Sequence, residues 1–240
     1  MKSPKSMKVL AALLIMASGP FTAHAQTVDV LPSRVTDFAK TEAADDHTIG
    51  SEDASITLVI WASITCSHCS KWFINEWPII KSELVETGKL RVVFREYRTA
   101  PPELAMTGFS LAECAPPEDY MSIIEYQMEN QSAIFEAARE GRAPEAYREV
   151  ARLAGMETTE AITTCLKNPD ISAHIKDNMA RAQIAEVAGV PAFVINGDTY
   201  KGAQDAMSLV ELINGMDAKG LSVLPSDIKP TGAHAGHEHE

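Results

Sequence analysis

The chain contains short apolar runs, typical of buried strands, and segments with apolar residues at helical spacing. The order of these two kinds of segment predicts the fold. Residues 56–62 and 90–97 are short apolar runs rich in β-forming residues, as in buried strands. A third run, 191–195, leads into Asn196-Gly197, a specific signal for a hairpin turn, and then into a partner strand at 199–201. The sequence therefore predicts two buried strands in its first half and a hairpin in its second.

Between and after these strands, apolar residues recur at the spacing of an α-helix. It predicts a helix over 71–77 that Pro78 kinks, a helical block over roughly 99–186, and a closing helix over 206–213. Gly189 is expected to cap the last helix of the block. The helices of the block are predicted at 104–114, 120–128, 144–154, 158–166 and 171–188. This order predicts an α/β fold that carries an all-helical insertion.

The first 25 residues have the pattern of a cleavable secretory signal peptide. Three lysines precede a short apolar core at 9–17, and Ala23-His24-Ala25 supplies a small-residue cleavage site. A membrane anchor is the alternative, but this core is shorter than the roughly 20 residues that span a bilayer. We therefore expect a chain that begins near Gln26, with a flexible lead-in over 26–46, and that works in the periplasm.

The negative net charge of the chain argues against anionic partners. The net charge of the whole chain is −12. The signal peptide contains three lysines and no acidic residue, so its removal would change the net charge to −15. A strongly acidic chain is repelled by the phosphates of nucleic acids and by anionic lipids. Nucleic acid is therefore excluded as an expected partner.

The candidate chemistry lies in Cys66-Ser67-His68-Cys69, where the first strand passes into a helix. Free N–H groups and the positive end of the helix dipole stabilise an anion there, so we expect a thiolate of depressed pKa at Cys66. Cys69 follows one turn deeper on the same face, where it can attack a mixed disulfide formed on Cys66. The prediction is thiol–disulfide exchange, although the motif alone also fits half a zinc site or a structural bridge.

The other two cysteines, Cys114 and Cys165, fall in the helical block. Because the compartment is oxidising and the number of cysteines is even, we predict that they form a structural disulfide. It would close a loop of about 50 residues and contribute roughly 4 kcal/mol in the chain-entropy treatment. Two free buried thiols are the alternative, and a four-cysteine zinc site fits poorly because this is not a second close pair.

The C-terminal segment, 221–240, is expected to be a flexible tail. Its histidines and two glutamates would bind a divalent metal only weakly, and a tail without a role is the preferred interpretation. The histidines are His234, His237 and His239. No metal ligand is therefore assigned from the sequence.

The paired motifs resemble those of the DsbA-like thiol–disulfide oxidoreductases. The chain has Cys66-Ser67-His68-Cys69 after a strand, then a helical insertion, then Gly189-Val190-Pro191 before the hairpin. The resemblance covers roughly 47–213 and implies a thioredoxin fold with an inserted all-helical domain. It divides the chain into a signal peptide (1–25), a lead-in (26–46), a thioredoxin-like domain (47–98 and 187–220), the inserted domain (99–186) and the tail (221–240).

The resemblance also implies roles for individual residues. The bond between Val190 and Pro191 is expected to be cis, with the backbone of Val190 binding an extended substrate peptide. His68, beside the thiolate, is expected to stabilise its negative charge. The chain differs from the family pattern at Ile60, where many relatives carry an acidic residue. In those relatives a carboxylate at this position would relay protons to the residue that corresponds to Cys69.

These features predict an enzyme that introduces disulfides into reduced secreted proteins. Cys66 is the expected nucleophile and Cys69 the resolving thiol, and no soluble cofactor is implied. By resemblance, a membrane partner of DsbB type, coupled to quinone, would reoxidise the protein. A reductase or isomerase of the same fold and a non-catalytic peptide-binding or chaperone module are the alternatives. We expect a monomer, because residues 26–46 are too short and too weakly apolar for an oligomerisation stalk.

Overall fold

The computed structural model describes residues 38–226. The predicted signal peptide, residues 26–37 of the lead-in and residues 227–240 of the tail lie outside the described residues. Within 38–226, one five-stranded sheet carries helices on both faces, and its strand order is β1-β3-β2-β4-β5. The strands are β1 (His47–Ile49), β2 (Ile56–Ala62), β3 (Leu90–Glu96), β4 (Ala192–Ile195) and β5 (Asp198–Tyr200).

The sheet is mixed, and its pairing brings distant parts of the chain together. Strands β2 and β3 run parallel, whereas β1 pairs with β3, β4 with β2, and β5 with β4 in antiparallel register. Trp61 in β2 lies opposite Ala192 in β4. The end of β2, which leads to Cys66, therefore lies beside the start of β4, which follows Pro191.

Helices occupy the connections that the sequence predicts. A π-helical turn covers Lys81–Val85, and a 3-10 turn covers Pro117–Asp119. The α-helices are α1 (Ser67–Asn75), α2 (Trp77–Ile80), α3 (Pro102–Glu113), α4 (Tyr120–Glu129), α5 (Gln131–Arg139), α6 (Ala143–Leu153), α7 (Thr159–Leu166), α8 (Pro169–Ile184) and α9 (Ala206–Ala218).

The core lies on both faces of the sheet because successive side chains of a strand point to opposite sides. In β2, Leu58 and Ile60 join the large core with α1 and the helices of the insertion. Val59 and Trp61 point the other way and pack against Ala182 and Ala185, at the end of α8. Strand β2 is thus buried on both faces, which explains its uninterrupted apolar run.

Several boundaries differ from the prediction. The kink expected at Pro78 is a break at Glu76, after which Trp77 and Pro78 begin a new helix, where proline is well tolerated. Helix α8 was predicted to reach 188 with Gly189 as its cap. Instead it ends at Ile184, and Glu186 takes the left-handed conformation with φ 59°.

The end of the lead-in, residues 38–46, is packed against the sheet. Arg95 and Asp46 form an ion pair with fully buried side chains, with Nη2 and Oδ2 2.7 Å apart. The Arg95 guanidinium also donates to the carbonyls of Ala39 and Thr41, at 2.7 and 2.6 Å. This stretch therefore differs from the flexible segment that its polar sequence suggests.

The sulfurs of Cys114, at the end of α3, and Cys165, in α7, are bonded to each other with an S–S distance of 2.13 Å. The bond joins two helices of the insertion. Among the described residues, no helix has both the length and the apolar composition needed to cross a membrane.

Candidate active site

The redox pair lies at the turn from β2 into α1. Cys66 is the N-cap residue of α1, with extended backbone angles, and its partly buried side chain remains accessible. Ser67 and His68 are exposed, whereas Cys69 is fully buried against the core. One sulfur is therefore accessible from outside, whereas the other is enclosed by the core.

The two thiols differ strongly in acidity. The pKa of Cys66 is lowered to about 6, foremost by the hydrogen bond from the Cys69 thiol. Burial opposes this shift, while the backbone N–H groups of Cys69 and His68 and the charge of His68 lower the pKa further. Burial, followed by the interaction with Cys66, raises the pKa of Cys69 far above its ordinary range. At neutral pH, Cys66 is the thiolate and Cys69 is its hydrogen-bond donor.

The loop before β4 faces this thiol. The Val190–Pro191 peptide bond is cis, as the resemblance implies. In its protonated form, the Cys66 thiol donates to the carbonyl of Val190, with sulfur and oxygen 3.5 Å apart. The register of β2 against β4 explains this approach, since it aligns the ends of the two strands. Because Pro191 has no N–H, it presents no backbone donor at its own position.

A glutamine that sequence analysis did not identify holds the Cys66 turn in place. The buried side chain of Gln131, at the start of α5, donates from Nε2 to the carbonyls of Ile64 and Cys66, at 2.7 and 3.1 Å. It satisfies the carbonyl of Ile64 and is a second donor to that of Cys66, which also accepts from the N–H of Ser70 at 3.0 Å. A contact between residues 65 apart in sequence leaves no local signal in the sequence, because nothing in the spacing of Gln131 distinguishes it.

Three hydroxyl groups form a ring beneath the redox pair. The Oγ of Ser63 lies 3.0 Å from Oγ1 of Thr65 and 2.9 Å from Oγ1 of Thr99, and the two threonine hydroxyls are 2.7 Å apart. The backbone N–H of Ser63 donates to the sulfur of Cys69, at 3.5 Å. The ring fixes the turn before Cys66 and joins it to the segment after β3.

Ile60, which stands where many relatives carry an acidic residue, is fully buried in the sheet. It lies opposite Phe94 in β3 and Phe193 in β4. The sulfur of Cys69 instead accepts from the backbone N–H of Ser63 and interacts with the Cys66 thiol.

Trp72 supports the helix that carries the cysteines. Its side chain is buried, and its indole Nε1 donates to the carbonyl of Gln204 at 2.7 Å. Its ring centroid lies 5.0 Å from that of Phe193 in β4. Trp72 thus belongs mainly to the core and connects α1 to the loop before α9.

A C-x-x-C turn at a helix N-terminus, facing a cis-proline loop beside the central strand of a mixed sheet, defines a redox site of the thioredoxin type. The sequence profile of the Thioredoxin family matches residues 42–215, most of the chain, and the chain belongs to that family.

Two solved structures show which branch of the fold this chain adopts. The structure is similar to alpha-DsbA1 of Wolbachia pipientis, with a TM-score of 0.66, 20% identity, and coverage of 74% of this chain and 94% of that one. It is also similar to a protein-disulfide isomerase of Novosphingobium aromaticivorans, with a TM-score of 0.59, 22% identity, and coverage of 72% and 97%. The predicted thioredoxin fold with a helical insertion, of DsbA-like form, is confirmed.

A curated protein of Rickettsia bellii, provisionally named a protein-disulfide oxidoreductase, is 25% identical over 154 residues. The match covers 64% of this chain and 58% of the relative. The chain thus spans little more than half the length of this relative.

Proposed function

We propose that the protein is a thiol–disulfide oxidoreductase that introduces disulfides into reduced secreted proteins in the periplasm. The observation that carries the proposal is the contrast between its two thiols. Cys66 is accessible and its pKa is lowered to about 6, whereas Cys69 is buried with a raised pKa. The name of the Rickettsia bellii relative supports the same chemistry.

The transfer begins on the oxidised pair. A substrate thiolate attacks the sulfur of Cys66, the Cys66–Cys69 bond breaks, and Cys69 leaves with the electron pair and takes up a proton. A second substrate thiolate then attacks the substrate sulfur of the mixed disulfide and releases Cys66 as a thiolate. A thiol of low pKa leaves readily, so the second step favours oxidation of the substrate. Where no second substrate thiol is in reach, Cys69 attacks Cys66 and releases the substrate reduced.

We assign substrate binding to Val190 and Pro191. The carbonyl of Val190 already lies 3.5 Å from the Cys66 sulfur. An extended peptide that pairs with this backbone would bring its cysteine beside Cys66, in the manner of strand addition. By resemblance, a membrane partner of DsbB type would restore the disulfide, and the protein would act as a monomer.

The decisive test combines a redox titration with a turnover assay. The Cys66–Cys69 pair is equilibrated against glutathione, and oxidation of a reduced, unfolded two-cysteine protein is followed with wild type and Cys66→Ala. The proposal predicts a potential above about −180 mV and turnover that Cys66→Ala abolishes. A potential near about −270 mV, the value of thioredoxin, would instead make the protein a reductant.

An isomerase is the second candidate, because one structure of similar fold is named a protein-disulfide isomerase. Rescue of a scrambled substrate would distinguish it from an oxidase, and gel filtration with light scattering would support it by detecting a stable oligomer. A binding or chaperone role is the third, and it predicts peptide binding that survives Cys66→Ala.

A further inference from the structure

Three side chains that play no part in thiol exchange converge on one point. They come from the start of β1, the end of α3 and the middle of α8, namely His47, Glu113 and His174. The Nε2 of His47 and the Nδ1 of His174 each lie 3.0 Å from the same carboxylate oxygen, Oε1 of Glu113. One donor atom from each residue falls within 4.8 Å of the other two.

Two of the three distances between these donors match those of ligands around one metal ion, and the third is within 4.8 Å. Zinc binds imidazole nitrogen and carboxylate oxygen at about 2.0–2.2 Å, so neighbouring ligands at right angles to tetrahedral angles lie roughly 3.0–3.4 Å apart. The two nitrogen–oxygen distances of 3.0 Å already meet this requirement. Two imidazoles and one carboxylate are a ligand set of divalent transition ions, whereas calcium and magnesium prefer oxygen alone.

The surroundings hold both imidazoles. The His47 ring stacks on Tyr120, with centroids 3.5 Å apart and an interplanar angle of 3°. The second nitrogen of His174, Nε2, lies 3.3 Å from Nδ2 of Asn178 and 3.9 Å from Oδ2 of Asp45. A metal-binding imidazole donates its other N–H to an acceptor, and the carboxylate of Asp45 is the acceptor on this side of the His174 ring.

Carboxyl groups surround the cluster, and the nearby arginines pair with other residues. The carboxyl group of Glu96 is fully buried, lies beside that of Glu113, and accepts hydrogen bonds from Tyr120 and Asn178. The nearby arginines are engaged elsewhere, since Arg181 pairs with Asp45 and Asp46, and Arg95 with Asp46. A divalent ion that bound here would displace the proton between His174 and Glu113, and its charge would face the carboxyl groups of Glu113 and Glu96.

An ion has access to this cluster. The exposed fractions of the side chains are 18% for His47, 8% for Glu113 and 16% for His174. A site with three protein ligands and slight exposure leaves a fourth position for water.

We propose that His47, Glu113 and His174 bind one divalent transition-metal ion of the zinc type, which joins the edge strand of the sheet to helices α3 and α8 of the insertion. The ligands are 66 and 61 residues apart along the chain, which is why no sequence motif indicates them. The redox cysteines contribute no ligand, so the site is independent of the proposed exchange reaction.

The test measures Zn²⁺ binding to the chain from Gln26 onward, with two precautions. The Cys66–Cys69 pair is kept oxidised, so that its thiols do not bind zinc, and the tail histidines His234, His237 and His239 are replaced by alanine. The histidines that remain are His47, His68 and His174. Isothermal titration calorimetry with Zn²⁺ should then detect one bound equivalent, and Co²⁺ should give the visible absorption of a site with nitrogen and oxygen ligands.

Substitutions separate this site from other histidines. His47→Ala and His174→Ala should each weaken zinc affinity at least 100-fold, whereas the matched control His68→Ala should leave it within about twofold. Zinc should also raise the unfolding temperature of the parent and of His68→Ala. If an alanine variant fails to fold, Glu113→Gln is tested in its place, because it keeps the shape of the side chain but removes its charge. Glu113→Gln should show the same loss of zinc affinity. Failure of the parent to bind one equivalent, or affinity that survives His174→Ala or Glu113→Gln, would overturn the proposal.

Discussion

The acidity of Cys66 depends on a few individual groups around its sulfur. The largest contribution to the low pKa of Cys66 is one hydrogen bond from Cys69, and the backbone and charge of the turn add to it. The folded pKa lies below that of a cysteine in an unfolded chain, about 8.5. The thiolate therefore stabilises the reduced fold fully above about pH 8.5, and this stabilisation is lost as the pH falls through about 6.

Removing the hydrogen-bond donor from Cys69 should raise the pKa of Cys66 toward its ordinary value. Cys69→Ala deletes the donor, whereas Cys69→Ser keeps an O–H group in its place. We expect the pH midpoint of Cys66 alkylation to rise clearly in Cys69→Ala and less in Cys69→Ser. A midpoint in Cys69→Ala that stays at the wild-type value would mean that the helix terminus, and not the neighbouring thiol, dominates the shift.

Gln131 should control the position of the Cys66 turn. In Gln131→Leu the carbonyl of Ile64 loses its buried donor and that of Cys66 keeps only the N–H of Ser70, which should cost about 1–3 kcal/mol of unfolding free energy. The matched control is Gln127→Leu, since the Gln127 amide is also buried but donates to Gly108. Denaturant unfolding should show both variants destabilised, while only Gln131→Leu slows thiol–disulfide exchange. Equal exchange rates in the two variants would remove the positioning role.

At the scale of the element, the close approach of α3 to its neighbours depends on one glycine. A Cβ built on Gly108 would lie 2.1 Å from Oε1 of Gln127 and 2.2 Å from Cδ1 of Ile64. Both atoms belong to buried side chains, so neither can move freely. This contact holds the insertion against the segment that leads to Cys66.

Gly108→Ala should therefore destabilise the fold by about 1–3 kcal/mol through overpacking. Gly215→Ala, in helix α9, is the matched control, because no atom lies within 4 Å of the position of its Cβ. There alanine should stabilise the helix by about 0.5–1 kcal/mol. Thermal and urea unfolding of the two variants should move in opposite directions, and a shift of the same sign in both would contradict this account of the packing.

The accuracy of the sequence prediction also differs from element to element. The bounds of β2 agree with the prediction, and Thr158 caps α7 by accepting from the N–H of Ala161. Helix α5, Gln131–Arg139, was not predicted as a separate element, because it is short and buries only three residues. Its stability comes from tertiary packing, which local propensity does not encode.

At the scale of the whole molecule, long-range polar contacts hold the N-terminal segment against the sheet. The buried Arg95–Asp46 pair joins residues 49 apart, and the pair between Arg91 and Glu42, nearer the surface, joins another two. Such contacts could not be read from a single sequence, because a charged residue in a strand or a polar loop usually faces water. The local motif predicted the redox pair and its helix, whereas the residues that position it, Gln131 and the hydroxyl ring, depend on the assembled fold.

Breaking the buried pair should be costly. Asp46→Asn leaves the charge of Arg95 buried without a counter-ion, and we expect a loss of about 3–5 kcal/mol in unfolding free energy. Glu42→Gln, at the more exposed pair with Arg91, should cost no more than about 1 kcal/mol. Urea unfolding measures both, and similar losses in the two variants would show that burial of the Arg95 pair has no special weight.

The ionisation of Cys66 tests the account most directly. The reduced protein is treated with iodoacetamide from pH 4 to pH 10, and the rate at Cys66 is followed by mass spectrometry. The account predicts a midpoint near pH 6, because the Cys69 thiol and the start of α1 stabilise the thiolate. A midpoint near about 8.5, that of an unperturbed cysteine, would contradict it.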